Sequence, residues 1–275
     1  MANPRTSVKK WLTALLALAI ALFALAPLIG ILGSSVSTTP FWSFPPRGFT
    51  LRWYEAFLRK AELVASMQVS IYVAIVVAIA GAIIALLIAL PLARATLGAT
   101  AKNAISILVL VPLLVPAVSL GVAIYGLYSY LDIPVNFATI AAAQIITAVP
   151  LVVGLLVVGL GNIGNNVERA AANLGAPPAT VYWRITLPLL RPALISAGIL
   201  AFVRSLDDAA IALFLTSPTT MTLPVRMLVA MENESGSLVA ATGSVLLIVA
   251  FIAAVILDRT IGIQKAFGLK ESVWR

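Results

Sequence analysis

Six long apolar stretches dominate this chain and decide what it can fold into. A bilayer-crossing helix needs about 20 predominantly apolar residues. Stretches of that kind run over 11–32, 63–93, 104–130, 137–160, 192–215 and 238–257. The second is long enough to tilt or to project beyond the bilayer. The third is interrupted by Pro112 and Pro116, and the fourth contains Pro150. The expected fold is therefore an all-α integral membrane protein with six transmembrane helices, built as one domain over residues 1–275. Small residues are frequent in these stretches, which lets helices approach closely where no hydrophobic drive brings them together.

Composition excludes the main alternatives. Charged residues are 10% of the chain, against roughly 25% in an average soluble domain, so there is too little polar side chain to cover a water-exposed surface. The sequence has no cysteine and no histidine. That removes disulfide scaffolds, zinc and iron–sulfur sites built on thiolate or imidazole, and Ser-His-Asp catalysis. No catalytic residue, resident metal or cofactor is expected.

The net charge of +8 is read as membrane orientation rather than nucleic-acid binding, because cytoplasmic loops carry an excess of Lys and Arg. With the N-terminus placed inside, the inside segments hold Arg5, Lys9, Lys10, Arg94, Lys102, Arg169, Arg184, Arg191, Arg259, Lys265, Lys270 and Arg275. The outside loops hold Arg47, Arg52, Arg59, Lys60 and Arg226, and Arg204 falls within the fifth stretch. Both termini are therefore expected to be cytoplasmic. The first stretch exceeds the 7–15-residue core of a signal peptide. Pro27 directly follows the cleavage-like Ala24-Leu25-Ala26, so an uncleaved anchor is expected.

Two connections are longer than turns: an outside loop over 33–62 and a cytoplasmic loop over 161–191. The second has helical punctuation. Asn165 or Asn166 can cap a helix start, with Glu168 in the first turn, where the helix dipole favours a negative charge. Ala170 to Ala172 are strong helix formers. Val167, Ala170, Ala171 and Leu174 share one face at helical spacing. Gly175 suits the left-handed position that ends a helix, and Pro177 and Pro178 prevent continuation. A second short helix should then lead to Pro188, with Pro192 opening the next span.

This loop resembles the EAA loop of permease subunits of binding-protein-dependent ABC importers. The family pattern is Glu-Ala-Ala, three residues, Gly, nine residues, Ile, one residue, Leu-Pro. Ala170, Ala171, Gly175, Ile185, Leu187 and Pro188 match it. The departure is at the glutamate: Arg169 precedes Ala170, and Glu168 is displaced by one. Further segments resemble the spermidine/putrescine-type branch: Ser205-Leu206-Asp207-Asp208, Thr222-Leu223-Pro224-Val225-Arg226, and Phe49-Thr50-Leu51-Arg52-Trp53-Tyr54.

The resemblance implies a type I importer permease in the plasma (inner) membrane. Its partners would be two cytoplasmic ATPases, a second permease subunit that is usually a different chain, and an external solute-binding protein. It implies that ATPase closure pushes the helix around Glu168 to Gly175, and that the connection through Pro188 passes the motion to the fifth span. A small polar solute, in this branch a polyamine or related amine, would cross.

Arg204, Asp207 and Asp208 fall at i, i+3 and i+4 in the fifth stretch, close enough to pair along one helix face. Each would cost about 2.5–3.5 kcal/mol at a lipid-facing centre, so they should face a partner helix or a watery pathway. They are candidate pathway residues, with a structural ion cluster as the other reading. Two other function classes fit the composition. An ion-coupled transporter or channel would use Asp207 and Asp208 and would not need the Gly175–Pro188 spacing. A structural anchor would not need the charged fifth stretch. The Gly159-x-Gly161-x-x-Gly164 match to a dinucleotide fingerprint ends an apolar helix instead of following a strand, and Asn233-Glu234-Ser235 is a chance glycosylation sequon. No G-x-x-x-x-G-K-[ST] occurs, so ATP is expected to bind elsewhere.

Overall fold

The computed structural model describes residues 4–95 and 97–261. Lys265, Lys270 and Arg275, counted above as inside charges, lie outside the described residues. Those described form helices and turns without strands. In chain order the helices are α1 (Pro4–Ser35), α2 (Arg52–Arg59), α3 (Ala61–Arg94), α4 (Ala99–Leu114), α5 (Ala117–Tyr130), α6 (Phe137–Ile163), α7 (Asn166–Asn173) and α8 (Pro178–Val181). A π turn over Tyr182–Thr186 follows, then α9 (Leu187–Leu206), α10 (Leu223–Asn233) and α11 (Gly236–Ile261). Among the described residues, five apolar segments are long enough to cross a membrane, or six if the bent pair α4 and α5 is one span.

That pair refines the third expected span. The axes of α4 and α5 meet at 100°. Pro112 lies inside α4 without ending it, whereas the break falls at Val115 and Pro116. Val115 is extended, with φ −89° and ψ 131°, the conformation that a following proline imposes on its predecessor. The fifth span is corrected at both ends. Pro192 lies within α9 instead of opening it, and the helix stops at Leu206 instead of Leu215. Residues 207–222 form turns and irregular backbone. The stop has a side-chain cause: Asp208 Oδ1 accepts the Ile211 amide at 3.3 Å, the local competition by which aspartate draws backbone away from a helix.

The described residues group into two compact units. One comprises residues 1–64 and 227–247. The 33–62 loop belongs to it and contains α2. Tyr54 is its node, its hydroxyl lying 2.8 Å from both Ser35 Oγ and Ser244 Oγ. Trp53 Nε1 donates to Ser37 O at 2.7 Å, and Ser237 Oγ donates to Thr39 O at 2.7 Å. Lys60 pairs with Glu234. The Trp42 indole lies so close to Gly236 that a Cβ would collide with it.

The other unit, the described residues of 65–226 and 248–261, holds the main apolar core. Val73, Val77, Ala85 and Ala89 of α3 meet Ile140, Val152, Leu156 and Leu160 of α6 and Leu190, Ala197 and Ala201 of α9. Helices α6 and α9 pack most extensively. They approach closely at Gly159, where a Cβ would sit 2.7 Å from the Ala193 Cβ. Asn136 opens α6 with a reciprocal capping box with Thr139, which satisfies two helix-end amides. The Leu223 amide at the start of α10 donates to Ser70 Oγ of α3 at 2.8 Å.

Candidate functional site: the α6–α9 connection and the end of α9

The connection between α6 and α9 keeps the order expected from its punctuation. Helix α6 ends at Ile163, and Gly164 turns the chain with φ +67°. Asn165 occupies the cap position of α7, although its side chain makes no capping bond. Helix α7 ends in a Schellman motif. Gly175 has φ +85°. Its amide donates to Ala172 O at 2.9 Å, and the Ala176 amide donates to Ala171 O at 3.1 Å. These two bonds satisfy carbonyls that a helix end otherwise leaves open. Pro178 then starts α8 at a position where its missing N–H costs nothing.

The junction with α9 differs from expectation. Pro188 does not separate a short helix from a span. Instead α8 runs through the π turn directly into α9, with the Leu187 amide donating to Tyr182 O. Ile185 lies in the wide turn and Leu187 and Pro188 form the first turn of α9, all three half-buried. Pro188 falls where the π turn passes into α9, and it has no N–H to donate back into that turn.

The faces of α7 are chemically distinct. Val167, Arg169, Ala170 and Leu174 are exposed, Leu174 at 89%. Ala171 is half-buried. Glu168 turns inward. Its Oε2 lies 2.8 Å from Arg94 Nε, with both side chains mostly covered, although the N–H does not line up for a directed hydrogen bond. Its Oε1 accepts from Thr186 Oγ1 at 2.8 Å. Arg94 Nη2 donates to Leu160 O at 2.9 Å. Beneath α7 lies a cavity of about 450 Å³ lined by Leu90, Arg94, Glu168, Arg169, Tyr182 and Thr186, among others. Sequence reasoning placed Arg94 among the inside charges and gave Thr186 no role. A cation in the last turn of a helix followed by an acid in the first turn of another was the available signal.

The trio at the end of α9 does not share one helical face. Arg204 is in the last turn and half-buried, Asp207 is the C-cap and exposed, and Asp208 lies beyond the helix at 3% exposure. No ion pair within 4.0 Å joins them among the described residues. Asp208 has other polar neighbours. Ser205 of α9 donates to Gln144 Oε1 of α6, and the Asp208 amide donates to Ser205 O at 3.2 Å. Asp208 Oδ2 and Gln144 Nε2 are both buried without a hydrogen-bond partner. A buried acceptor or donor left open is costly. Ser205 entered the sequence reading only as part of the Ser205-Leu206-Asp207-Asp208 segment, and Gln144 was not singled out, because a single polar residue in an apolar run carries no pattern.

Residues 81–263 match the family described as binding-protein-dependent transport system inner membrane component. The chain belongs to this family. Among curated relatives it is 34% identical over 165 residues to the molybdenum transport system permease protein ModB of Mycobacterium tuberculosis, covering 54% of this chain and 61% of that one. It is 33% identical over 129 residues to the putrescine transport system permease protein PotI of Escherichia coli, covering 45% and 46%. Over 237 residues it is 26% identical to the spermidine/putrescine transport system permease protein PotC of Escherichia coli, covering 85% and 88%. The chain thus spans under two thirds of the length of ModB and about half of PotI. Its fold is similar to that of a bacterial ABC transporter involved in the import of the acidic polysaccharide alginate. That match has a TM-score of 0.67 at 16% identity and covers 95% of this chain and 98% of the other.

Proposed function

We propose that the chain acts as one permease domain of a binding-protein-dependent ABC importer. The observation that carries this reading is the construction of the 161–191 loop. Helix α7 is closed by a Schellman motif at Gly175, and its successor α8 continues through the π turn into α9 without an interruption. A push on the exposed face of α7 therefore reaches a membrane-crossing helix through hydrogen-bonded backbone. Two cytoplasmic ATPases supply that push on closing. A second permease chain completes the pathway, and an external binding protein delivers the solute. ATP hydrolysis resides in the ATPases. Glu168, Arg169, Ala170, Ala171, Gly175, Ile185, Leu187 and Pro188 form the coupling element, while Arg204, Asp207 and Asp208 border the pathway.

The termini and the 161–191 loop face the cytoplasm on this reading, supported by the distribution of Lys and Arg. Single cysteines report it cleanly, because the chain has none of its own. Arg47 and Ala179 are both exposed. Arg47→Cys is expected to react with an impermeant thiol reagent in intact cells, and Ala179→Cys only after permeabilisation. The reverse pattern refutes the orientation.

The solute is a polyamine or related amine, supported by the PotI and PotC relatives and by the buried Asp208 carboxylate, which would favour a cation. Calorimetric titration of the cognate binding protein tests this. Putrescine or spermidine is expected to bind. Binding of a molybdenum salt and of neither amine would overturn the solute assignment and leave the permease reading intact.

A further inference from the structure

Helix α3 ends at Arg94, where a cation faces the negative end of the helix dipole. Its guanidinium reaches two other elements. Nη2 donates to Leu160 O at 2.9 Å, one of the last four carbonyls of α6, which have no intrahelical donor. The Gly164 amide, which could have served Leu160, bonds Gly161 O instead. Nε lies 2.8 Å from Glu168 Oε2 of α7. The other Glu168 oxygen accepts a hydrogen bond from Thr186 Oγ1 at 2.8 Å, and Thr186 closes the π turn at 4% exposure. Two side chains and one hydroxyl thus join α3, α6, α7 and the entrance to α9.

The geometry has a direct consequence for the displaced acid. Glu168 is held within its own chain, and the charge exposed beside it on α7 is Arg169. We infer that Arg94 is a positioning residue for coupling, holding α7 through Glu168 so that displacement of α7 drives the ends of α3 and α6 together with α9. This inference rests on the transport reading given above. Without the Arg94–Glu168 contact, α7 stays attached through the backbone to α6 by Gly164 and Asn165 and to α9 by α8 and the π turn, and loses its tie to the end of α3. A push on α7 then tilts the short helix without moving the spans in concert. Arginine suits the task because its planar fork addresses a carboxylate and a carbonyl at once, which an ammonium point charge does not do in a fixed geometry.

The test uses the complete complex, with its ATPases and binding protein, in proteoliposomes. It reads solute uptake per assembled complex and ATP hydrolysed per solute transported. Arg94→Gln and Glu168→Gln are each expected to retain the ATPase, to lower uptake per complex by about tenfold, and to raise the ATP used per solute. The double variant should lose no more than either single one, because both remove the same contact. The reversed pair Arg94→Glu with Glu168→Arg should recover part of the uptake.

A purely structural contact would lower assembly and leave both ratios unchanged. Wild-type uptake and ATP use per complex in Arg94→Gln, or additive losses in the double variant, would overturn the inference. If Arg94→Gln does not assemble, the reversed pair decides: restored assembly with restored uptake supports the inference, and restoration of neither overturns it. A wild-type complex that transports no solute and shows no solute-stimulated ATP hydrolysis refutes the transport reading itself, a different outcome from normal transport with a silent Arg94→Gln.

Discussion

Replacing Gly175 with valine is expected to leave the protein in the membrane and to cut uptake per assembled complex by roughly tenfold. The glycine has φ +85°, and no atom lies within 4 Å of the position a Cβ would take. Space is therefore not the obstacle; backbone conformation is. A left-handed residue with a β-carbon costs about 1–2 kcal/mol, and branching at that carbon adds to it. The chain can relieve this by abandoning the Schellman bonds from Gly175 and Ala176 to Ala172 and Ala171. Doing so reorients α7 relative to α8. A penalty of 1–2 kcal/mol corresponds to about a 5–30-fold change in population, the source of the expected loss. Gly175→Asn is the control, since asparagine tolerates the left-handed region, and it should keep most of the uptake. Normal uptake and normal solute-stimulated ATP hydrolysis in Gly175→Val would count against this loop as the coupling element.

The second large effect is expected at Asp208. Asp208→Asn preserves side-chain volume and an oxygen able to accept the Ile211 amide, so the turn that ends α9 should survive. What it removes is the negative charge of a buried carboxylate whose Oδ2 has no hydrogen-bond partner. If Asp208 borders a wet pathway, the complex should assemble normally while uptake per complex falls severalfold or discrimination between cationic and neutral solutes changes. If the charge only anchors packing, its loss should appear as poor assembly with unchanged uptake per complex. Breaking a buried charge pair typically costs about 3–5 kcal/mol, and no pair within 4.0 Å includes Asp208 among the described residues. The pathway outcome is therefore expected. Asp208→Ala serves as comparison: it also removes the acceptor for Ile211 and should destabilise the turn.

What could be read from the sequence divides along physical lines. Helix α7 was legible because its signals are local. Asn165 and Glu168 mark the start, Ala170 to Ala172 fill it, and a glycine followed by two prolines can hardly continue it. The spans were legible because bilayer thickness demands length and apolarity. The end of the fifth span was not. Ala209 to Leu215 are more apolar than the helix before them, and hydropathy does not distinguish a buried turn from a helical one. The aspartate that ends the helix looks, in sequence, like one more charge on its face. Of the two prolines in the third span, only Pro116 breaks it, because Val115 is extended while the residues before Pro112 remain helical. The Arg94–Glu168–Thr186 contacts join residues far apart in sequence, and no periodicity or capping rule brings such residues together. The family resemblance pointed to Glu168 as a displaced acid without saying where its carboxylate would turn.

The π turn at Tyr182–Thr186 bears on how such chains can vary in length. Each residue of an α-helix advances the azimuth by about 100°. The wide turn holds a residue more than an α-helical turn needs, so everything after it is rotated relative to an uninterrupted helix begun at Pro178. Leu190, Ala197 and Ala201 pack against α6 with that rotation in place. An insertion or deletion in this stretch thus alters azimuth far more than reach, swinging the buried seam of α9 off its partner. Length here is fixed by an angle.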